Sequence, residues 1–340
     1  MVHFQILEEI GQEGRNSQVF KINDTALNAE MVLKKICKRS FATPEQYFDE
    51  ARMLYNVQHP NVVEVNYSCQ DQDFVYITMP FYQKGSLSNL MSHKLLTVRE
   101  IIRYTVQFLS GLHHIHSSGL LHFDLKPDNI LLSERDEAML SDFGLAKYMD
   151  EYGFTRPNGF YRKHLAPEAV AQPQFSAEFD IYQAGLTIYR MCIGSSIFNA
   201  QYAAYFEANV FNSELFSEDL TSGRFPDRNV YPEHIPSKLK SVVNKCLEVN
   251  PEDRYPSAIE VVNAISDIDE SYLDWRPSVE GDIRKWSKKS ATGTLYCIDV
   301  DANNRSTAYK ISASGRRTSI TKYTKIAIGN RELNRFFKGK

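Results

Sequence analysis

Residues 119–132 read GLLHFDLKPDNILL and place His122, Asp124, Lys126, Asp128 and Asn129 within eight positions, with apolar residues on both sides. Ile130-Leu131-Leu132 is a strand-like run. Setting so much charge against it is costly unless each charge is paired. The cluster is therefore either an exposed polar turn or a site.

The surroundings of this stretch divide the chain. Upstream, HFQILEEIG, SQVFKI, EMVLKKI, NVVEVNYSC and FVYITM are short apolar or alternating runs separated by turn-like INDTALN and CQDQD, the pattern of strands. One helix interrupts them: in TPEQYFDEARMLYNVQHP, Thr43 can cap and Pro44 can open a helix, with Tyr47, Phe48, Ala51, Leu54 and Tyr55 at helical spacing. From about residue 86 to 268 the period is helical. TVREIIRYTVQFLSGLHHIHSS begins with Thr97 as N-cap and Glu100 three residues on, a capping box, and EFDIYQAGLTIYRMCIG and PSKLKSVVNKCLEV read as further helices. Beyond 270, TLYCIDV, STAYKISA and SITKYTKIAI alternate between turn-like DANNR and SGRR, which predicts an antiparallel meander. The expected fold class is α+β: a small antiparallel β lobe with one helix over 1–82, a larger helical lobe over 83–270, and a basic β module over 271–340.

Composition bounds the rest. With 340 residues, 43% hydrophobic and 24% charged, the chain is long enough for well-buried cores. Its net charge of −3 hides an asymmetry: residues 276–340 carry 15 Lys/Arg and 5 Asp/Glu, a net of +10, which leaves −13 on 1–275. An acidic body with a basic tail implies two modules. Five scattered cysteines without a C-x-x-C pair argue against a disulfide framework or zinc site and for a reducing compartment. MVHFQILEEI lacks a signal-peptide pattern, and no apolar run reaches the roughly 18 residues a membrane span needs, so the expected location is cytoplasmic.

H-x-D-L-K-P-x-N, then SDFG at 141–144, then APE at 166–168, resembles the signature set of the eukaryotic-like Ser/Thr protein kinases in order and spacing. The resemblance covers roughly residues 5–268. It implies a two-lobed kinase fold and transfer of the γ-phosphoryl group of ATP, with Mg2+, to protein hydroxyls, the chain's own among them. Such transfer needs an aligned hydroxyl, magnesium against the phosphate charge, and a cation near the moving group. By the resemblance Asp124 accepts the hydroxyl proton, Lys126 reaches the γ-phosphate, and Asn129 and Asp142 hold magnesium as hard oxygen ligands. Lys126 also points to Ser/Thr acceptors, since tyrosine kinases usually carry Ala there. MVLK makes Lys34 the α/β-phosphate lysine, with Glu50 as its partner. Val19 and Val32 above, Leu131 below and Met79 behind form the adenine slot, tightened because Val32 stands where Ala is usual. The carbonyl of Pro80 and the N–H of Tyr82 meet the adenine edge. GQEGRNSQVF resembles the glycine-rich phosphate loop imperfectly: Gly14 and Ser17 take the second and third glycine positions, and Gln12, beside Gly11, the first. Glu168 is expected to pair with Arg254 of NPEDR, Asp180 to brace the catalytic loop, and Leu54, Val65, His122 and Phe143 to stack through the two lobes as packing.

Departures from the pattern are informative too. Most members have Arg after the catalytic histidine, where this chain has Phe123; that Arg meets a phosphate on the activation loop, so phosphorylation of this loop is not expected to be the main switch. Tyr161 falls near a position that is often Thr. The triplet His113, His114 and His116 invites a metal reading, against a plainer one as the end of an amphipathic helix. Residues 276–340 do not resemble the kinase set. Their charge and aromatics suit binding to nucleic acid or an acidic protein, but docking on the acidic body by opposite charge is favoured. Thr318 and Ser319 directly follow two arginines and would suit self-phosphorylation by a basophilic kinase. Two rivals are kept. A pseudokinase scaffold usually lacks at least one of Lys34, Glu50, Asp124, Lys126, Asn129 and Asp142. A small-molecule phosphotransferase of the aminoglycoside or choline type would lack APE and the Glu168–Arg254 pair.

Overall fold

In the computed structural model, which describes residues 3–11, 17–41 and 43–339, the first lobe is a five-stranded antiparallel sheet. Its strands are β1 (Phe4–Gly11), β2 (Ser17–Asp24), β3 (Ala29–Cys37), β4 (Tyr67–Gln70) and β5 (Phe74–Pro80), in the order β1-β2-β3-β5-β4. Period-2 alternation along the central β3 separates two jobs. Met31 and Leu33 pack with Phe20 and Ile22, whereas Ile36, on the opposite face, packs with Ala51 of helix α1 (Asp49–Asn56) and Ile77. Lys34 shares that second face. The helix begins later than the sequence predicts: Pro44–Phe48 forms a 3-10 turn, and Thr43 makes no side-chain cap. NVVEVNYSC is strand only over β4, its earlier part contributing one isolated bridge from Val62 to Leu140.

The second lobe is built on two helices among α2 (Leu87–His93), α3 (Val98–Ser117), α4 (Ala177–Ile193), α5 (Ser195–Ala203), α6 (Ser213–Thr221), α7 (Ser237–Cys246) and α8 (Ala258–Ile265). α3 opens with the expected capping box, Thr97 accepting from Glu100 N and Glu100 from Thr97 N. α4 is buried on every side from Phe179 to Ile193, which makes it the spine of the lobe. At Gly185 a Cβ would stand 2.6 Å from Cys246 Cβ, so only glycine permits the close approach of α4 and α7. Between α3 and α4 lie the short pairs β6 (Leu120–Leu121) with β9 (Lys147–Tyr148), and β7 (Ile130–Leu132) with β8 (Ala138–Leu140). A small hairpin, β10 (Phe206–Glu207) and β11 (Val210–Phe211), follows α5.

The C-terminal region is a separate five-stranded antiparallel meander: β12 (Arg276–Glu280), β13 (Ile283–Lys289), β14 (Leu295–Val300), β15 (Ser306–Ile311) and β16 (Arg317–Ser319). The meander was legible, but SITKYTKIAI leaves the sheet after Ser319 and enters a 3-10 turn at Thr321–Tyr323. A helix the sequence reading did not include, α9 (Asn330–Phe337), lays Leu333, Phe336 and Phe337 against Trp275, Trp286 and Tyr323. Polar contacts join this sheet to the helical lobe, two ion pairs among them. Trp286 Nε1 donates to His234 Nδ1 at 3.0 Å in a buried contact, with the ion pair Arg284–Glu233 beside it. Arg99 grips Asp274 with two bonds of 2.6 and 3.0 Å. Among the described residues, no helix is long and apolar enough to cross a membrane.

Candidate functional site

The stretch that opened the reading is a loop held from beneath by α4. Asp180, fully buried, accepts from the backbone N–H of His122 and of Phe123, each at 2.8 Å, and bonds His116 Nε2 at 2.8 Å. One turn on, Gln183 accepts from Leu125 N at 2.9 Å and donates to the carbonyls of Phe123 at 3.0 Å and His164 at 3.2 Å. These bonds hold Phe123 at a φ of 64°, a left-handed conformation that a bulky residue keeps only when its surroundings enforce it. These bonds satisfy the loop's backbone, and within the polar cluster Lys126 and Asn129 pair with Asp124.

Asp124 is 5% exposed. Its Oδ2 accepts from Lys126 Nζ at 2.7 Å and Asn129 Nδ2 at 2.9 Å, and Asn129 also ties back to the Asp124 carbonyl at 2.9 Å. The other oxygen, Oδ1, is buried without a hydrogen-bond partner. Burial raises the pKa of Asp124; Lys126 opposes this and Asp142 adds to it, so the carboxylate is a stronger base than one in water.

On the other side of the cleft Lys34 Nζ bonds Glu50 Oε1 and Asp142 Oδ1, each at 2.8 Å. Asp142 stands at a φ of 58°. Burial works against its ionisation, but Lys34 overcomes that and holds its carboxyl well below the usual carboxylate range. Glu50 shifts the other way, raised by burial against the pull of Lys34. The two clusters are joined through Ser141, next to Asp142, whose N–H donates to the Asn129 carbonyl at 2.9 Å and whose carbonyl meets His122 Nε2 at 3.0 Å. Residues 34, 50, 124, 126, 129 and 142 therefore converge.

The expected slot residues come from both lobes. Val32 and Met79 are cross-strand partners, Val19 is opposite Lys34, and Leu131 of β7 is bridged to Ser86. Val32, Met79 and Leu131 are only half-buried, as apolar groups lining a cleft would be. Pro80 ends β5 opposite Met31, and the Tyr82 carbonyl accepts from Gly85 N at 3.0 Å. Gly11 ends β1 opposite Val19, and Ser17 opens β2 opposite Ile36. Gln12 and Gly14 lie outside the described residues.

Three further features frame the site. Glu168 and Arg254 form a bidentate buried pair, both bonds 2.7 Å. His122 packs edge-on to Phe143 at 5.1 Å between ring centroids, with Leu54 buried and Val65 half-buried, as expected of packing residues. Phe123 is fully buried against Phe175 and Phe179, and Phe160, twenty residues past β8, closes over the same two rings at 5.3 and 5.5 Å. Sequence reasoning missed Gln183, Phe160 and the Phe175–Phe179 pair. The signal for Gln183 was its place one helical turn after Asp180. Among the described residues no group of three or more His, Cys, Asp or Glu side chains could hold a metal. Instead, His114 stacks on His59 at 5.1 Å and His116 serves Asp180.

A family model described as the protein kinase domain matches residues 4–264. A chain of Clostridium acetobutylicum named as a probable serine/threonine-protein kinase is 27% identical over 278 residues, 80% of this chain and 40% of that protein. The serine/threonine-protein kinase STE20 of Saccharomyces cerevisiae is 28% identical over 277 residues, 81% of this chain and 28% of its own length. PknD of Protochlamydia amoebophila, also a serine/threonine-protein kinase, is 25% identical over 308 residues, covering 80% and 30%. The chain thus spans well under half the length of the curated relatives it matches.

Proposed function

The chain belongs to the protein kinase domain family, and from that premise we propose that it is a protein-serine/threonine kinase that moves the γ-phosphoryl group of ATP to protein hydroxyls. The observation that carries the reading is the state of Asp124, with one oxygen held by Lys126 and Asn129 and the other buried without a donor. A substrate hydroxyl supplies the missing donor. The bond from that hydroxyl oxygen to phosphorus forms as the bond to the ADP oxygen breaks, and the proton passes to Asp124 Oδ1. The raised basicity of Asp124 suits it to receive that proton. Lys126 offers a positive charge beside the transferred group, and Lys34, aligned by Glu50, one for the remaining phosphates.

The residues present fit magnesium. Asn129 spends its amide nitrogen on Asp124, leaving the carbonyl oxygen for a cation, and Asp142 stays ionised with Oδ2 outside the Lys34 bond. Two such oxygens completed by phosphates and water make an ordinary magnesium shell. When bound, the ion neutralises phosphate charge. The half-buried Val32, Met79 and Leu131 supply the apolar walls for adenine, with Val19, and the edge contacts fall to Pro80 and Tyr82. Protein rather than small-molecule acceptors are supported by the Glu168–Arg254 pair behind the APE segment. Self-phosphorylation is part of the same proposal. So is an activation segment ordered by Phe123, Phe160, Phe175 and Phe179 in place of a phosphate, so that phosphatase-treated protein is expected to keep its rate. Labelled ATP, magnesium and a mixed protein acceptor test the core of it: the wild type labels acceptor and Asp124→Ala does not. Equal labelling by both, or none by either, rejects the reading.

A further inference from the structure

We propose that Arg162, Lys163 and Arg190, beside the catalytic loop, form a subsite for a negatively charged side chain of the protein substrate, close to the acceptor hydroxyl. The inference rests on the kinase reading and names its substrate class. It starts from Arg190 of α4, which is 4% exposed. A buried guanidinium ordinarily takes a carboxylate in bidentate fashion and satisfies its remaining donors on carbonyls. Arg254 does so, with two bonds to Glu168 and others to the carbonyls of Glu178 and Val249. Arg190 does not. It meets the ring nitrogen His164 Nε2 at 2.9 Å, has Asp128 Oδ2 only at 3.7 Å, lies 5.0 Å over the Phe198 ring, and its Nε has no partner.

The neighbours add charge of the same sign. Lys163 Nζ bonds the amide oxygen of Asn199 and lies over the rings of Phe198 and Tyr202 at 5.6 and 5.5 Å, all of them neutral. Burial first, then the nearby Arg190, lower its pKa, and the carboxylate of Asp128, half-exposed at the edge of the group, offsets this only in part. Arg162 lies over Phe211 at 4.6 Å. Among the described residues no carboxylate is within 4.0 Å of Arg162 or Lys163 in an ion pair. His164 adds no charge: its Nδ1 faces the Leu125 carbonyl at 3.1 Å, which leaves Nε2 as acceptor for Arg190, and burial keeps it neutral. The group adjoins the reacting centre. Asp128 is four residues past Asp124 in one loop, and Tyr161, preceding Arg162, covers Lys126 Nζ at 4.3 Å, which itself bonds Asp124.

Carboxylate and phosphate side chains share the required chemistry, and peptide kinetics separate them. Three peptides carrying Ser or Thr are compared with the full chain and Mg-ATP: one with Glu on both sides of the acceptor, one with phosphoserine there, and GRRTSITKYT, the segment at 315–324. Either anionic peptide is expected to exceed the basic one in kcat/KM by about tenfold or more, the worth of a charge-assisted hydrogen bond. The better of the two anionic peptides identifies the source. In the double variant Arg162→Glu, Lys163→Glu, KM rises for the anionic peptides and falls for GRRTSITKYT. Equal kcat/KM for all three peptides, a preference for GRRTSITKYT, or a wild-type ratio in the double variant overturns the subsite and leaves the kinase reading standing. Transfer to none of the three overturns both.

Discussion

The loop at residues 122–129 and the C-terminal sheet are held in shape by opposite means. Asp180 and Gln183 hold the loop with buried hydrogen bonds of 2.8 to 3.0 Å to its backbone. The sheet is closed on itself by Trp275, Trp286 and the rings of α9, and it meets the lobe through the Trp286–His234 bond and the ion pairs Arg284–Glu233 and Arg99–Asp274. Directional bonds specify positions to fractions of an ångström and tolerate few substitutes, whereas apolar packing accepts many residues of similar size. A loop that must hold a carboxylate in place uses the first, and a module that need only keep its own shape is built by the second.

Four perturbations bear on that contrast. The largest effect is expected from Asp124→Asn, which should lower the rate of protein phosphorylation by about 10²–10⁴-fold, the range of general-base catalysis. Since burial raises the pKa of this carboxyl, its ionised form destabilises the fold at neutral pH, and calorimetry should find the variant no less stable than wild type. Asp180→Ala should do the reverse, removing the acceptor from two backbone N–H groups at a strained loop. A loss of roughly 3 kcal/mol in urea unfolding is expected at 1–3 kcal/mol for each orphaned donor, and activity should fall with it. An unchanged urea midpoint would show the polar anchoring to be dispensable.

For the sheet, acid is the probe. Trp286 donates to His234 Nδ1, so that nitrogen must carry a lone pair, and burial pushes His234 down to about 3. The unfolded chain therefore binds the proton first, and stability present above about pH 6.5 is lost as pH falls from there toward 3. Both tryptophans of the chain lie in this region, so intrinsic fluorescence should follow the loss. His234→Gln, an acceptor that does not titrate, should flatten the profile. A wild-type profile in that variant would assign the acid sensitivity elsewhere. The smallest effect is expected at Thr97→Ala, which removes the N-cap of α3 at a cost of about 1 kcal/mol, read as a shift in the urea midpoint with unchanged slope.

The same contrast explains what the sequence disclosed. Asp124, Lys126, Asn129, Asp142, Lys34 and Glu50 could be singled out because each needs a particular functional group at a particular spacing, and the fold brings them together. The capping box of α3 was visible for the same reason. What escaped notice was apolar or marginal. α9 is eight residues long, too short to announce itself by propensity, and depends on the rings it packs against; its signal was Leu333, Phe336 and Phe337 at helical spacing. Thr43 failed as a cap because the chain takes a tighter turn before the helix begins.

Phe123 and the rings around it have a consequence for control. Hydrocarbon contacts carry no group that an upstream enzyme can add or a downstream one remove. On the proposed function, a segment fastened this way would be set once, at folding, with no messenger to arm it. Adjusting its output would then fall to abundance, or to whatever occludes the opening between the lobes.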